Sequence, residues 1–263
     1  MALGAGIQGP AADGQRRAGL TVCPAAALPH GSRGRRRKLN TVLILAIDTS
    51  AIASAALLNG EGETLASFAT EDTRSHAEVL APGIQRLLSD AGVSGNQVDA
   101  IVTGVGPGPF TGLRSGIATA RTLAFAWNKP LHGVMSLDAI AVDAALDAWR
   151  AGVDEFVVAT DARRKEVYWA RYRSTGGTAE LLDGPHVSAP SEVPDVPAYG
   201  AGAGLYPEEL RTVQDFAAAQ PTAEALGRTA VVRLVRGLEL LPDLPLYLRE
   251  SDAKVPGPRK RAL

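Results

Sequence analysis

The chain of 263 residues has one cysteine, Cys23, so it can form neither an internal disulfide nor a cysteine-based zinc site. A reducing, cytoplasmic setting is the expectation that follows. No apolar run approaches the roughly 18 residues that a membrane span needs, so no membrane partner is expected. The four histidines, His30, His76, His132 and His186, contain no pair four apart and no HExxH, which leaves metal chemistry without a ligand set. No metal and no cofactor is expected. Phosphate-binding signatures are missing too: Gly112 is followed by Leu113 and Arg114 where a P-loop needs Lys and Ser or Thr, and GxGxxG does not occur in register; the nucleophile elbow GxSxG is likewise missing.

Charge is unevenly spread. Residues 1–38 hold seven Lys or Arg against the single Asp13, which leaves 20 basic against 27 acidic residues elsewhere, a formal charge of −7. A body so charged lacks the broad basic face that grips nucleic acid unaided. The leader 1–38 is expected to be disordered and outside the fold, the alternative being a nucleic-acid-binding arm. Its apolar stretch precedes its densest charge cluster, the reverse of a secretory signal.

What the chain does have is the stretch VGPGPFTGLRSGIATARTLA from Val105 to Ala124, a strand, a rigid elbow and a helix. Gly106 and Gly108 open backbone conformations closed to other residues, Pro107 and Pro109 fix φ, and Thr111 is positioned to cap the helix. Such an elbow aims amide N–H groups and a helix dipole at one spot, where a phosphate or carboxylate can sit. A plain strand-to-helix turn is the competing reading. In the helix itself, Gly116, Ala120 and Ala124 lie four apart and share a face with almost no side chain, which another helix can approach closely.

Around the elbow, Thr41–Ser50 reads as a buried strand ending in Asp48 and Thr49, followed by a hairpin near Asn59–Gly62. Ser75 and Glu78 form a capping box that opens a helix to about Ala91, striped with Leu80, Ile84, Leu87 and Leu88, and Pro82 inside it predicts a kink or restart. A strand at 98–106 feeds the elbow, a strand at 130–135 follows its helix, and Ser136 caps a further helix to Trp149. The second half repeats the theme. An apolar strand ends in Asp161, a hairpin follows, a Pro-rich connector spans 185–197, a strand meets a glycine turn at 198–204, and a helix runs from Pro221 with Thr222 as cap. The pattern is α/β, with a strand-end acid in each of two similar halves.

LAIDTS, SHAEVLAPGI, the elbow segment, PLHGV, DARRKEVYWA and PLYLR, in that order, resemble the TsaB (YeaZ-type) family of the bacterial tRNA threonylcarbamoyladenosine machinery. The resemblance implies a two-domain actin-like and sugar-kinase-like fold with duplicated ββαβα halves, over 39–135 and 136–250, a last helix at 222–238 that packs back on the first half, and a tail at 251–263. It implies a non-catalytic subunit. The catalytic TsaD-type partner carries an HxxxH histidine pair, and the corresponding stretch Gly133–Ala139 has no histidine. In such heterodimers the two helices beside the elbow pack on their counterparts in TsaD, which implies an interface of His76, Leu80, Ile84, Leu87, Leu88, Leu113, Arg114, Gly116, Ile117, Ala120, Arg121, Leu123 and Ala124. The same surface makes homodimers when the partner is missing, a TsaE-type ATPase joins the complex, and tRNA is reached through the complex. Asp48, Thr49, Gly106, Gly108 and Asp161 are then a vestigial nucleotide site. The rival reading makes them the Mg-ATP site of an autonomous ATP-dependent transferase or kinase, while a metallopeptidase lacks ligands.

Overall fold

The structure is a computed structural model that describes residues 41–70 and 76–249; the leader, the tail, Ser75 and the side chain of His76 lie outside the described residues. The apolar runs do become strands. β1 (Leu43–Asp48), β2 (Ser54–Asn59), β3 (Thr64–Ala69), β4 (Ala100–Gly104) and β5 (Leu131–Val134) form one sheet in the order β3-β2-β1-β4-β5, antiparallel through β1 and parallel from β1 to β5. β6 (Glu155–Asp161), β7 (Val167–Thr175), β8 (Thr178–Ser188), β9 (Pro197–Tyr199) and β10 (Arg211–Thr212) form a second sheet in the order β10-β9-β6-β7-β8. Its pattern is the same, with two antiparallel pairs and then two parallel ones. This duplicated arrangement is the actin-like α/β fold, and the described residues form one compact unit.

The alternation of side chains along β1 decides the layers. Leu45 and Ile47 face α1 (His76–Asp90) and α2 (Phe110–Trp127), while Ile44 and Ala46 face the opposite side, where α5 (Ala223–Val235) covers β1, β2 and β4. α3 (Ser136–Arg150) packs on β6 and β7 and also against α5, so these two helices lie between the sheets. Beyond the second sheet is α4 (Ala201–Leu205), short where α2 is long.

Several expectations need correction. Pro82 does not divide α1, which is one helix of 15 residues. α2 begins at Phe110 with Pro109 at its N-cap, so Thr111 is inside the helix. Ser136 is likewise the first helical residue of α3, and its hydroxyl goes elsewhere. The connector is shorter than 185–197 because β8, a half-exposed edge strand, continues through Pro185 to Ser188. The glycine turn after β9 is the helix α4. Thr222 does cap α5, its side chain accepting from the Ala225 amide.

Between α3, α5 and the β7–β8 hairpin lies a cavity of about 140 Å³ that holds the Asp138 carboxylate. The Tyr172 hydroxyl donates to Asp138 at 2.8 Å and Arg233 lies 3.9 Å away. Burial pushes Asp138 up to about 6, against the pull of Tyr172 and Arg233 toward lower values. The folded chain thus keeps a proton that an unfolded chain, with the ordinary value of 3.8, gives up. This carboxyl favours folding most below about pH 4, and the contribution is lost as pH rises through 6. Urea denaturation from pH 4 to pH 8 is expected to show wild type losing on the order of 2–3 kcal/mol relative to Asp138→Asn across that window; a pH-independent difference would contradict it.

Candidate functional site

The strand-end acid Asp48 is fully buried, and both of its oxygens are used inside the chain. The Ser50 amide and hydroxyl donate to Oδ1 at 2.9 and 2.7 Å, and the Ser136 hydroxyl donates to Oδ2 at 2.7 Å. Ser136 Oγ in turn accepts from the Gly106 amide at 3.2 Å, while the Ser136 amide donates to the Gly106 carbonyl at 2.8 Å. One carboxylate thereby ties β1 to the elbow and to the start of α3. Burial raises its pKa, and the hydrogen bonds from Ser136 and Ser50 oppose that shift.

Thr49 continues the tie, its hydroxyl donating to the Gly112 carbonyl at 2.7 Å on the first turn of α2. A Cβ on Gly116, one turn later, would overlap the Thr49 side chain. Gly116 is therefore where the helix comes down on the tip of β1. The elbow needs its glycine for backbone reasons, with Gly106 at a φ of +93°.

The small-residue face of α2 thus points inward, a correction to the expected bare contact surface. Ala120 and Ala124 join Leu80, Ile84, Leu87 and Leu88 in one cluster with Leu45, Ile47, Leu57 and Ile101, and Leu113 and Ile117 are buried as well. Of the anticipated interface residues whose side chains are described, Arg114 and Arg121 are exposed and Leu123 is half-buried. The sequence reading missed Phe125, which is 90% exposed, and the apolar groove between α1 and α2. That groove, about 340 Å³, is lined by Ile84, Leu88, Val93, Thr119, Leu123 and Trp127. The interruption of the small-residue run by Phe125 and Trp127 was the available signal.

The second strand-end acid behaves differently. Asp161 lies beside a cleft of about 400 Å³ that Ser50 and Pro109 border from the first half and Arg163, Ala201 and Gly204 from the second. Its carboxylate accepts from the Arg163 amide at 2.7 Å and pairs with the Arg163 guanidinium at 3.0 Å. The structure therefore brings Asp48, Thr49, Gly106 and Gly108 together around the β1 tip, where a Cβ on Gly108 would press on the Ser50 backbone, and puts Asp161 at the cleft beyond. No group of three or more His, Cys, Asp or Glu among the described residues is placed to hold a metal ion. No helix among them is long and apolar enough to cross a membrane.

A family model described as TsaD, tRNA N6-adenosine threonylcarbamoyltransferase, matches residues 63–234. The chain belongs to this family. Within it the likeness is to TsaB/YeaZ-type proteins. The solved structure of YeaZ from Pseudomonas aeruginosa, 35% identical, covers 79% of this chain and 100% of its own with a TM-score of 0.64. The protein named tRNA threonylcarbamoyladenosine biosynthesis protein TsaB in Escherichia coli is 39% identical over 131 residues, 49% of this chain and 54% of that one. An uncharacterized protein of Mycobacterium tuberculosis is 35% identical over 219 residues, 83% of this chain and 96% of its own length. This TsaB/YeaZ-type chain shares with the family model a span that runs from the β2–β3 hairpin into α5.

Two stability measurements check the burial argument. Asp48→Ala strands the Ser50 and Ser136 hydroxyls and is expected to cost roughly 2–4 kcal/mol, against about 1 kcal/mol for Asp48→Asn, which keeps an acceptor. Equal costs would mean that the carboxylate does not tie the elbow. Ala120→Arg buries an unpaired charge and is expected to cost about 3–5 kcal/mol in the isolated chain; an unchanged melting temperature would show that this face is open.

Proposed function

We propose that this TsaB/YeaZ-type chain acts in tRNA threonylcarbamoyladenosine biosynthesis as a non-catalytic subunit that docks a TsaD-type catalytic partner through α2, using its exposed face and the groove it forms with α1. The observations that carry this reading are that groove on one edge of α2 and the 90% exposed Phe125 on the opposite edge of the same helix. A helix with an apolar channel along one edge and an almost fully exposed phenyl ring on the other has the form of a protein contact, since a buried aromatic anchor is what concentrates binding energy. Arg114 and Arg121 on the outer face of α2 supply the polar rim.

Support for a role without chemistry of its own comes from Asp48. A carboxylate whose two oxygens accept three internal hydrogen bonds is committed to holding the elbow, and a magnesium ion would have to break that tie to use it. In this reading the same groove pairs two copies of the chain when the catalytic partner is missing, and a TsaE-type ATPase completes the complex.

Phe125→Asp is the direct test, because a side chain 90% exposed contributes little to the fold. The variant is expected to keep its melting temperature and to bind the TsaD-type subunit at least about 30-fold more weakly by titration calorimetry. Undiminished binding, together with full threonylcarbamoyladenosine formation in the reconstituted system, would remove the exposed face of α2 from the interface.

A further inference from the structure

The hairpin between β6 and β7 turns on residues that fit its backbone poorly. Arg163, Arg164 and Lys165 have φ of +62°, +57° and +62°, three consecutive side chains in the left-handed region. The Glu166 amide donates to the Arg163 carbonyl at 3.1 Å, which closes a four-residue turn with Arg164 and Lys165 at its centre. Hairpins with positive φ at both central positions are ordinarily built from Asn-Gly, because larger residues strain there. Here the turn carries Arg-Lys. All three side chains are exposed, with the Arg163 guanidinium paired to Asp161, and the body they sit on is net acidic.

The base of the turn is braced from the C-terminal segment. Arg249 donates to the Ala162 carbonyl at 2.8 Å and pairs with Glu166, the acid next to the turn. Two residues earlier, Tyr247 packs on Phe110 with the rings tilted by 41° and 4.6 Å between centroids, and the Arg114 guanidinium lies 5.7 and 5.6 Å from the Phe110 and Tyr247 rings while donating to the Tyr247 hydroxyl at 2.9 Å. Tyr247 is 40% exposed. Since two residues of chain span at most about 7 Å, this aromatic and guanidinium cluster is tethered to Arg249, the residue whose side chain braces the basic turn.

We propose that the turn Arg163–Lys165 binds the phosphate backbone of RNA, with the Phe110, Arg114 and Tyr247 cluster as a stacking surface for an unpaired base. This rests on the reading that the chain serves tRNA modification, and it gives the chain a direct contact with the substrate. Backbone strain persists where a function holds it, and adjacent cations on an exposed turn suit phosphate. Exposed aromatic and guanidinium planes are how proteins take hold of splayed bases in single-stranded loops.

The test uses the full chain reconstituted with its TsaD-type and TsaE-type partners, and measures unmodified tRNA binding as a function of salt. Replacing Arg163, Arg164 and Lys165 together with glycine relaxes the backbone and removes the charges. The expected result is an undiminished melting temperature, intact complex assembly, at least about tenfold weaker tRNA binding, and a salt slope smaller by about 2. Tyr247→Ser is expected to weaken binding with the slope unchanged. Unchanged affinity and slope in the glycine variant would overturn the proposal, as would loss of assembly, which would make the turn a protein contact. Titration of Mg-ATP gives the remaining arm. If the glycine variant loses ATP binding while tRNA binding persists, the phosphate belongs to a nucleotide and the RNA assignment fails. Phe125→Asp blocks assembly in the docking reading, whereas the glycine variant assembles, so the two readings fail separately.

Discussion

The hydrogen bonds around the Asp48 carboxylate are the constraint on which the first half of the molecule depends. β1 brings the acid to the end of the sheet, Ser50 holds one oxygen, and Ser136 passes the other to the backbone of the elbow. Three segments far apart in sequence are set by one buried group. Burying a carboxyl is costly, and here both of its oxygens are answered by donors of the fold. Once the elbow is held, the direction of α2 follows, since Thr49 meets Gly112 and Gly116 on its first turns. The residues that reach the groove and the exposed edge, Thr119, Leu123 and Phe125, are then carried outward by helical geometry alone.

A second segment extends this arrangement across the molecule. After α5 the chain runs back beside β5, where Leu241 and Gly133 exchange backbone hydrogen bonds, and past the elbow, where the Leu246 amide donates to Val105. Asp243 then receives Arg121, Tyr247 receives Arg114, and Arg249 reaches the turn of the second half. The outward arginines of α2 are thus held by the chain's own C-terminal stretch. The ion pair at Arg121 is half-exposed and contributes little by itself. Its effect is to fix where those side chains point.

Much of this was legible in the sequence, and the illegible parts share a cause. Apolar runs ending in Asp48 and Asp161, the hairpins after them and the Thr222 cap can be read from local chemistry, because local chemistry determines them. Whether a small-residue face looks inward or outward is not local. Gly116 and Ala120 say only that something comes close, and the object is the tip of their own β1 rather than another molecule. Ser136 posed the same problem: a serine at a helix start reads as a cap, but its hydroxyl goes to an acid 88 residues away. β8 escaped notice because an edge strand that is half in water carries no apolar alternation, and Gly184–Pro185 within it reads as a connector.

The two halves let one ancestral position be compared with itself. Gly106 and Gly200 follow the equivalent strands β4 and β9 with φ of +93° and +103°, so the elbow backbone persists in both. The helix after it does not: α2 has 18 residues and α4 has five. The acids have diverged in step. In the first half the long helix covers the strand end, Asp48 is sealed, and its only available work is to hold neighbours. In the second half the helix is too short to cover the strand end, Asp161 stays near water, and its carboxylate is taken by the first residue of the strained basic turn. A structural use of one acid and a surface use of the other follow from helix length, and the duplication supplies the control that a single copy lacks.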